Sequence, residues 1–303
     1  MISRAARLIT MAACSLVLCS ARATGPFPAM HETEAGLPDH VIYRPVDLSP
    51  FGANHRLPVI GWVNGGCVRG STYASFLEDL ASHGYIVVAP GNVITAAPKT
   101  AAPAPARKLT LTERIHRIKP PETTTAQLVA GVDWVLAQGQ RGNSPYAGKI
   151  DNEALAMMGH SCGGMQALEA SVDPRVKTTV VLASGYWRLG GDLPGIALNR
   201  ATLQRLHGPV LYLYGGSGDI VQVDAEADFF EIDQVPIVKA HREAGHGLSL
   251  REPQGGDYGK LVVDWLDWQL RGERGAAATF VGKDCRLCTN PVWDIEKKHI
   301  DKN

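Results

Sequence analysis

Residues 159–163 read Gly159-His160-Ser161-Cys162-Gly163, a serine set between two glycines. The apolar run Leu155 to Met158 precedes them and a helix-like stretch follows. G-x-S-x-G between a strand and a helix is the pattern of a nucleophile elbow, a turn too sharp for side chains on both flanks of the serine. Glycine relieves that crowding, and the turn lifts the Ser161 hydroxyl clear of the neighbouring backbone. A serine hydroxyl becomes nucleophilic only when a base takes its proton, and the base needs an acid to orient it. In proteins with this elbow the chain order is serine, acid, histidine. The acid is expected at Asp219, which ends the loop Gly215-Gly216-Ser217-Gly218-Asp219 after the apolar run Val210 to Tyr214. The base is expected at His246, within Arg242-Glu243-Ala244-Gly245-His246-Gly247 after Pro236 to Lys239. Asp224 and Asp228 compete with Asp219, but they fall where a helix is expected to have begun. His241 lies closer to its strand than His246 and lacks glycine neighbours. His160 is expected to pack beneath the turn.

Acyl chemistry also needs hydrogen-bond donors aimed at the oxygen that becomes negative. One is expected from the backbone N–H of the residue after the nucleophile, Cys162. The other is expected in Val63-Asn64-Gly65-Gly66-Cys67, at the end of an earlier apolar run, with Gly66 as the first candidate and Cys67 as the second.

These loops must be presented by a framework. Short apolar, β-branched runs recur at Val41 to Tyr43, Leu57 to Val63, Ile86 to Ala89, Ala154 to Met158, Thr178 to Ala183, Val210 to Tyr214 and Pro236 to Lys239. Helical spacing appears at Tyr73 to His83, Thr125 to Gln138, Met165 to Ser171 and Tyr258 to Arg271. Strands alternating with helices predict a mostly parallel central sheet with helices on both faces. With the elbow, that makes the expected fold class α/β and the expected fold that of an α/β-hydrolase. The Ala- and Pro-rich stretch Ala96 to Ala106, extended by Pro120-Pro121, is read as a loop within one domain.

The chain has 303 residues with 30 basic and 30 acidic side chains, so no charged field points to nucleic acid. Arg4 and Arg7, the apolar run Leu8 to Leu18 and the small-residue site Ala21-Arg22-Ala23 read as an export signal, with the mature chain starting near Thr24. The apolar run is well short of the roughly 20 residues of a membrane span, so no stable membrane anchor is expected. Domain organisation is therefore expected as a signal peptide over 1–23 and one catalytic domain over 24–303 that ends in a cysteine-containing tail. Of six cysteines, Cys14 and Cys19 would leave with the signal. Cys67, Cys162, Cys285 and Cys288 would remain in an oxidising compartment.

LASHGYIVVAPGN, YAGKIDNEALAMMGHSCGG, DPRVKTTVVLASGYW, GPVLYLYGGSGD and EAGHG resemble successive blocks of the secreted cutinase-like and poly(ethylene terephthalate) hydrolases, within the dienelactone-hydrolase-like group. The resemblance runs from about residue 57 to 248, and its serine, acid and histidine fall on Ser161, Asp219 and His246. It implies an aromatic substrate wall at Trp187. This chain departs from the polyester hydrolases at two substrate-flanking positions, with Gly66 in place of an aromatic residue and Cys162 in place of a methionine. NGGC paired with SCGG, together with the ending FVGKDCRLCTNPVW, is closer to a separate secreted branch.

The expected activity is hydrolysis of carboxylic esters, small or polymeric, through an acyl-enzyme and without metal or organic cofactor. A peptidase or amidase using the same triad is the alternative among enzymes, and a catalytically silent binding protein the alternative outside them. Oxyanion donors must lie about 2.7–3.1 Å from one oxygen, so the segments carrying Cys67 and Cys162 have to converge to a separation compatible with a disulfide. The expected pairing is Cys67 with Cys162 and Cys285 with Cys288. For Cys285-Arg286-Leu287-Cys288 a structural staple is preferred to thiol redox chemistry, since the motif lies after the last expected helix.

Overall fold

The computed structural model describes residues 23–94, 120–188 and 193–300. The expected export signal, apart from Ala23, and the Ala/Pro-rich loop lie outside the described residues. Among the described residues nine strands form one sheet: β1 Ala29–Glu34, β2 Leu37–Pro45, β3 Leu57–Val63, β4 Ile86–Pro90, β5 Ile150–His160, β6 Val176–Leu182, β7 Val210–Tyr214, β8 Ile237–His241 and β9 Asp294–Lys298. Their order is β1-β2-β4-β3-β5-β6-β7-β8-β9. From β4 to β8 every pairing is parallel. The β1, β2 and β9 strands join antiparallel at the two edges.

Between them run helices α1 Ala74–Ser82, α2 Thr125–Gln140, α3 Cys162–Ala170, α4 Arg200–Leu203, α5 Gln222–Glu231, α6 Gly256–Arg271 and α7 Arg274–Ala277. Alternation along the strands sends side chains to two separate cores. Val59, Val63, Leu155 and Met157 pack on one face with Leu128 and Val132 of α2 and Met165 of α3. Ile60, Trp62, Ala156 and Met158 pack on the other face with Phe76 and Leu80 of α1 and Trp265 of α6. Such double burial explains why the parallel strands read as unbroken apolar runs rather than alternating ones. The fold is that of an α/β-hydrolase.

The elements differ from the sequence expectation where the pattern carries little apolar signal. Helix α3 begins at Cys162, directly after the serine, not at Met165. Strand β1, AMHETE, is not among the expected strands, and Asp294–Lys298 turns part of the expected tail into an edge strand. Its sequence, DIEKK, has almost no apolar content. It is held by pairing to β8, where the nearly buried Lys239 meets Glu226 of α5 and Glu296 of β9.

Candidate active site

The three segments that matter leave the carboxyl ends of β5, β7 and β8, where parallel strands deliver their loops to one edge of the sheet. Ser161 sits between β5 and α3 with φ 54° and ψ −126°, a backbone conformation unfavourable for a residue with a side chain. The Ser161 N–H donates to the Leu182 carbonyl at 2.9 Å, tying the turn to β6. A Cβ on Gly159 would collide with the Gly163 carbonyl, and one on Gly163 with the Val63 carbonyl. The two glycines thus allow β5, α3 and the end of β3 to approach within backbone contact. Side chains at either position would force them apart.

His246 bridges the other two side chains. Its Nε2 lies 2.8 Å from Ser161 Oγ and its Nδ1 2.7 Å from Asp219 Oδ1. Since an ionised carboxylate only accepts, Nδ1 carries the proton and Nε2 is free to accept the serine O–H. The Asp219 side chain is fully buried. Burial works against its charge, but hydrogen bonding and attraction from His246, with the N–H groups of Gly215 at 2.9 Å and Val221 at 3.2 Å, outweigh it and hold the carboxyl below its ordinary value. The loops carrying Asp219 and His246 are fastened to each other. The Gly215 carbonyl accepts from the N–H groups of Ala244 and Gly245 at 3.0 and 2.9 Å, and a Cβ on Gly215 would clash with the Gly245 carbonyl.

The competing acids and base are engaged elsewhere. The N–H of Tyr186 donates to Asp228 at 2.7 Å, that of Arg188 donates to Asp224 at 3.1 Å, and the Arg188 guanidinium reaches Asp228 at 2.8 Å. Burial raises both acids, pushing Asp228 up to about 6. Together they anchor the segment after β6 that carries Trp187, which is half-buried and leans on the core. His241 lies tilted against the Tyr214 ring, with centroids 4.6 Å apart, and faces Asp294 at the sheet edge.

On the opposite side of Ser161, residues 65–67 form a single 3₁₀ turn in which Gly66 has φ 68°. The Cys67 N–H donates to the Asn64 carbonyl at 3.1 Å. Gly66 is exposed, and neither its N–H nor that of Cys162 has a hydrogen-bond partner among the described residues. Cys67 and Cys162 are joined by a disulfide with Cα atoms 5.3 Å apart, and Cys285 is joined to Cys288. The Cys67 carbonyl accepts from the N–H groups of Glu122 and Thr123 at 3.0 and 3.1 Å, which adds a second tether to this turn.

Sequence reasoning gave no role to Asn64, which organises the turn from beneath. Its amide donates to the carbonyls of Val68 at 3.0 Å and Gly70 at 2.6 Å, and its oxygen accepts from the Trp62 indole N–H at 2.8 Å. The polar residue ahead of two glycines was the available signal. His160 likewise turns out to hold more than space. It is nearly buried, with Nε2 2.7 Å from the His246 carbonyl and Nδ1 3.0 Å from the Tyr73 hydroxyl. A Cβ on Gly65 would collide with this imidazole, so that glycine makes room for it beneath the turn. Burial and then the neighbouring His246 lower the His160 pKa to about 4.

Residues 78–195 match the family model for PET hydrolase-like proteins. The match includes Ser161 and Trp187 and stops short of Asp219 and His246. No curated protein matches the chain. No helix among the described residues is long and apolar enough to cross a membrane.

Proposed function

We propose that this PETase-like α/β-hydrolase is an exported serine carboxylesterase that works through an acyl-enzyme, with Ser161, His246 and Asp219 as its triad. The observation carrying this reading is the continuous chain Ser161 Oγ, His246, Asp219, with contacts of 2.8 and 2.7 Å. Ser161 Oγ attacks the ester carbonyl while His246 Nε2 takes its proton. The negative oxygen of the tetrahedral intermediate is held by the N–H groups of Cys162 and Gly66. His246 returns the proton to the departing alkoxide, and the acyl group stays on Ser161. Water, deprotonated by the same nitrogen, releases the acid. Asp219 remains ionised throughout, keeping the proton on Nδ1 and stabilising the imidazolium. Two disulfides fit the oxidising compartment into which an export signal would deliver the chain.

We infer the substrate class from what flanks Ser161. Gly66 contributes no side chain, and the Cys162 side chain is occupied by its disulfide; the resemblance to the polyester hydrolases implies Trp187 as the aromatic wall of the cleft. With no apolar side chain free at positions 66 and 162 to hold a long tail, esters with short acyl chains are expected to react fastest. A panel of p-nitrophenyl esters of graded chain length, run beside an aryl-ester polymer film, tests this. Activity falling beyond about four acyl carbons with little film release is expected, and a maximum at long chains would refute the assignment. On the same panel Trp187→Ala is expected to change relative rates among substrates more than it changes the melting temperature. A large loss of stability with unchanged preference would make Trp187 a core residue.

His160 acts through His246. As a neutral imidazole it donates from Nε2 to the His246 carbonyl and accepts the Tyr73 hydroxyl at Nδ1, which fixes the base loop over Ser161. Between pH 6.5 and about 4 the unfolded chain protonates this histidine while the folded one resists, so the histidine's contribution to stability falls as pH drops through that window. His160→Phe keeps an aromatic ring and removes both hydrogen bonds. We expect kcat to fall on the order of 10- to 100-fold with KM changed less than about threefold, as for a misplaced general base. Equal losses in both would mean general disruption instead.

A further inference from the structure

The buried carboxylate of Asp79 has no contact with the proposed triad and no part in its chemistry. It sits in the last turn of α1, at 3 % exposure. A negative charge there is doubly unfavourable, because burial removes its water and because a helix C-terminus is itself the negative end of the helix dipole. That last turn contains no basic residue. The nearest cationic group among the described residues is His83 at 4.0 Å, charged only when protonated.

What Asp79 does contact is Thr24. The Thr24 backbone nitrogen lies 2.6 Å from Oδ1, and the Thr24 hydroxyl lies 3.0 Å from each carboxylate oxygen. The hydroxyl also meets His83 Nε2 at 2.9 Å. The following residues are fixed to the same helix end: Gly25 N–H donates to the Ser82 hydroxyl at 2.9 Å and Phe27 N–H to the Ser82 carbonyl at 3.0 Å. A Cβ on Gly25 would strike the Ser82 carbonyl, so glycine is required for this approach. The backbone nitrogen of residue 24 is thus delivered to a buried carboxylate whose only ion-pair partner among the described residues is a histidine. Ala21-Arg22-Ala23 immediately precedes it, with the small residues of an export-signal cleavage site.

We propose that the Ala23–Thr24 bond is the processing site of this chain and that the α-ammonium group freed on Thr24 becomes the counter-ion of Asp79. An endopeptidase of the export machinery adds water across the peptide bond. The hydroxyl goes to the Ala23 carbonyl, which leaves as the carboxylate of fragment 1–23, and the Thr24 nitrogen takes up protons to become an ammonium. A neutral amide donor is thereby replaced, at the same place, by a positive charge. That charge offsets both the burial of Asp79 and the dipole of α1, so maturation completes the packing of the segment against the helix end.

The test uses the full chain exported through its own leader, and reads mass, melting and amine reactivity, none of which depends on ester hydrolysis. The purified protein is expected to begin at Thr24 with a free amine; a different start overturns the proposal. Inserting one glycine between Ala23 and Thr24 leaves an amide at Thr24 and moves the charge one residue away. This insertion is expected to lower the melting temperature by several degrees with Asp79 present and by less than about one degree in the Asp79→Asn background. Equal shifts in the two backgrounds, or no shift with Asp79 present, overturn the proposal. The third readout needs no substitution at Asp79. Because pairing raises the pKa of an ammonium, the wild-type α-amine should be acetylated at pH 7 about tenfold more slowly than that of the glycine-inserted chain. Equal rates overturn the ion pair.

Discussion

Replacing Ser161 by alanine is expected to lower ester hydrolysis by about 10⁴- to 10⁶-fold while the fold survives, because triad members act as a unit and removal of the nucleophile abolishes the acyl-enzyme route. The residual rate would come from the oxyanion donors and from substrate binding alone. Ser161→Gly adds a second, opposite expectation. At φ 54° and ψ −126° a side chain is strained, by on the order of 1–3 kcal/mol. Glycine relieves that strain, so this variant should be as inactive as the alanine one yet melt at a higher temperature. The measurement is kcat/KM with a p-nitrophenyl ester alongside a thermal melt. Retention of a tenth of the activity in either variant would remove Ser161 from the mechanism. A melting temperature below wild type for the glycine variant would mean that the elbow is not under strain.

The second large effect belongs to the Cys67–Cys162 disulfide. Cross-linking residues 95 apart constrains the unfolded chain, and in the chain-entropy model a loop of that length is worth somewhat under 5 kcal/mol. Cys67→Ser is therefore expected to destabilise the protein by about 2–5 kcal/mol. It should also slow catalysis, since the bond ties the turn carrying the Gly66 N–H to the residue carrying the Cys162 N–H. The oxyanion develops only beyond the ground state, so the loss should fall on kcat, by about tenfold or more, with KM nearly unchanged. The tethers from Glu122 and Thr123 to the Cys67 carbonyl and the three hydrogen bonds of Asn64 remain, which is why the variant should still fold. Guanidinium unfolding with and without reductant, together with steady-state kinetics, reads both effects. An unchanged kcat in a destabilised variant would show that the disulfide serves stability alone.

The parts of this molecule that could be read in advance share one property: each is dictated by demands within a few residues. Gly159, Ser161 and Gly163 announce their turn because no other residue types relieve its backbone clashes. Asp219 and His246 follow glycine-rich loops at the ends of apolar runs, and in a parallel sheet such loops emerge at one edge. The strands β3 to β8 stood out because burial on both faces requires continuous apolar sequence. Helix α6 stood out through its apolar spacing.

Other features are fixed by which distant segments come to lie side by side. Strand β9 carries almost no apolar signal, and only the open edge of β8 gives it a partner. Asp224 and Asp228 look, in sequence, like rivals of Asp219; the rotation of α5 points them at residues 186–188 instead. His160 and the His246 carbonyl are separated by 86 residues and Thr24 and Asp79 by 55, so no local pattern relates them. The elbow, the order of the loops and the sheet that presents them are legible in the chain alone, because they rest on local sterics and on periodic burial. Which carbonyl each buried donor meets, and that Asp79 faces a histidine rather than a Lys or Arg, depends on packing, because hydrogen bonds and ion pairs act over about 3 Å and follow the register of packed elements.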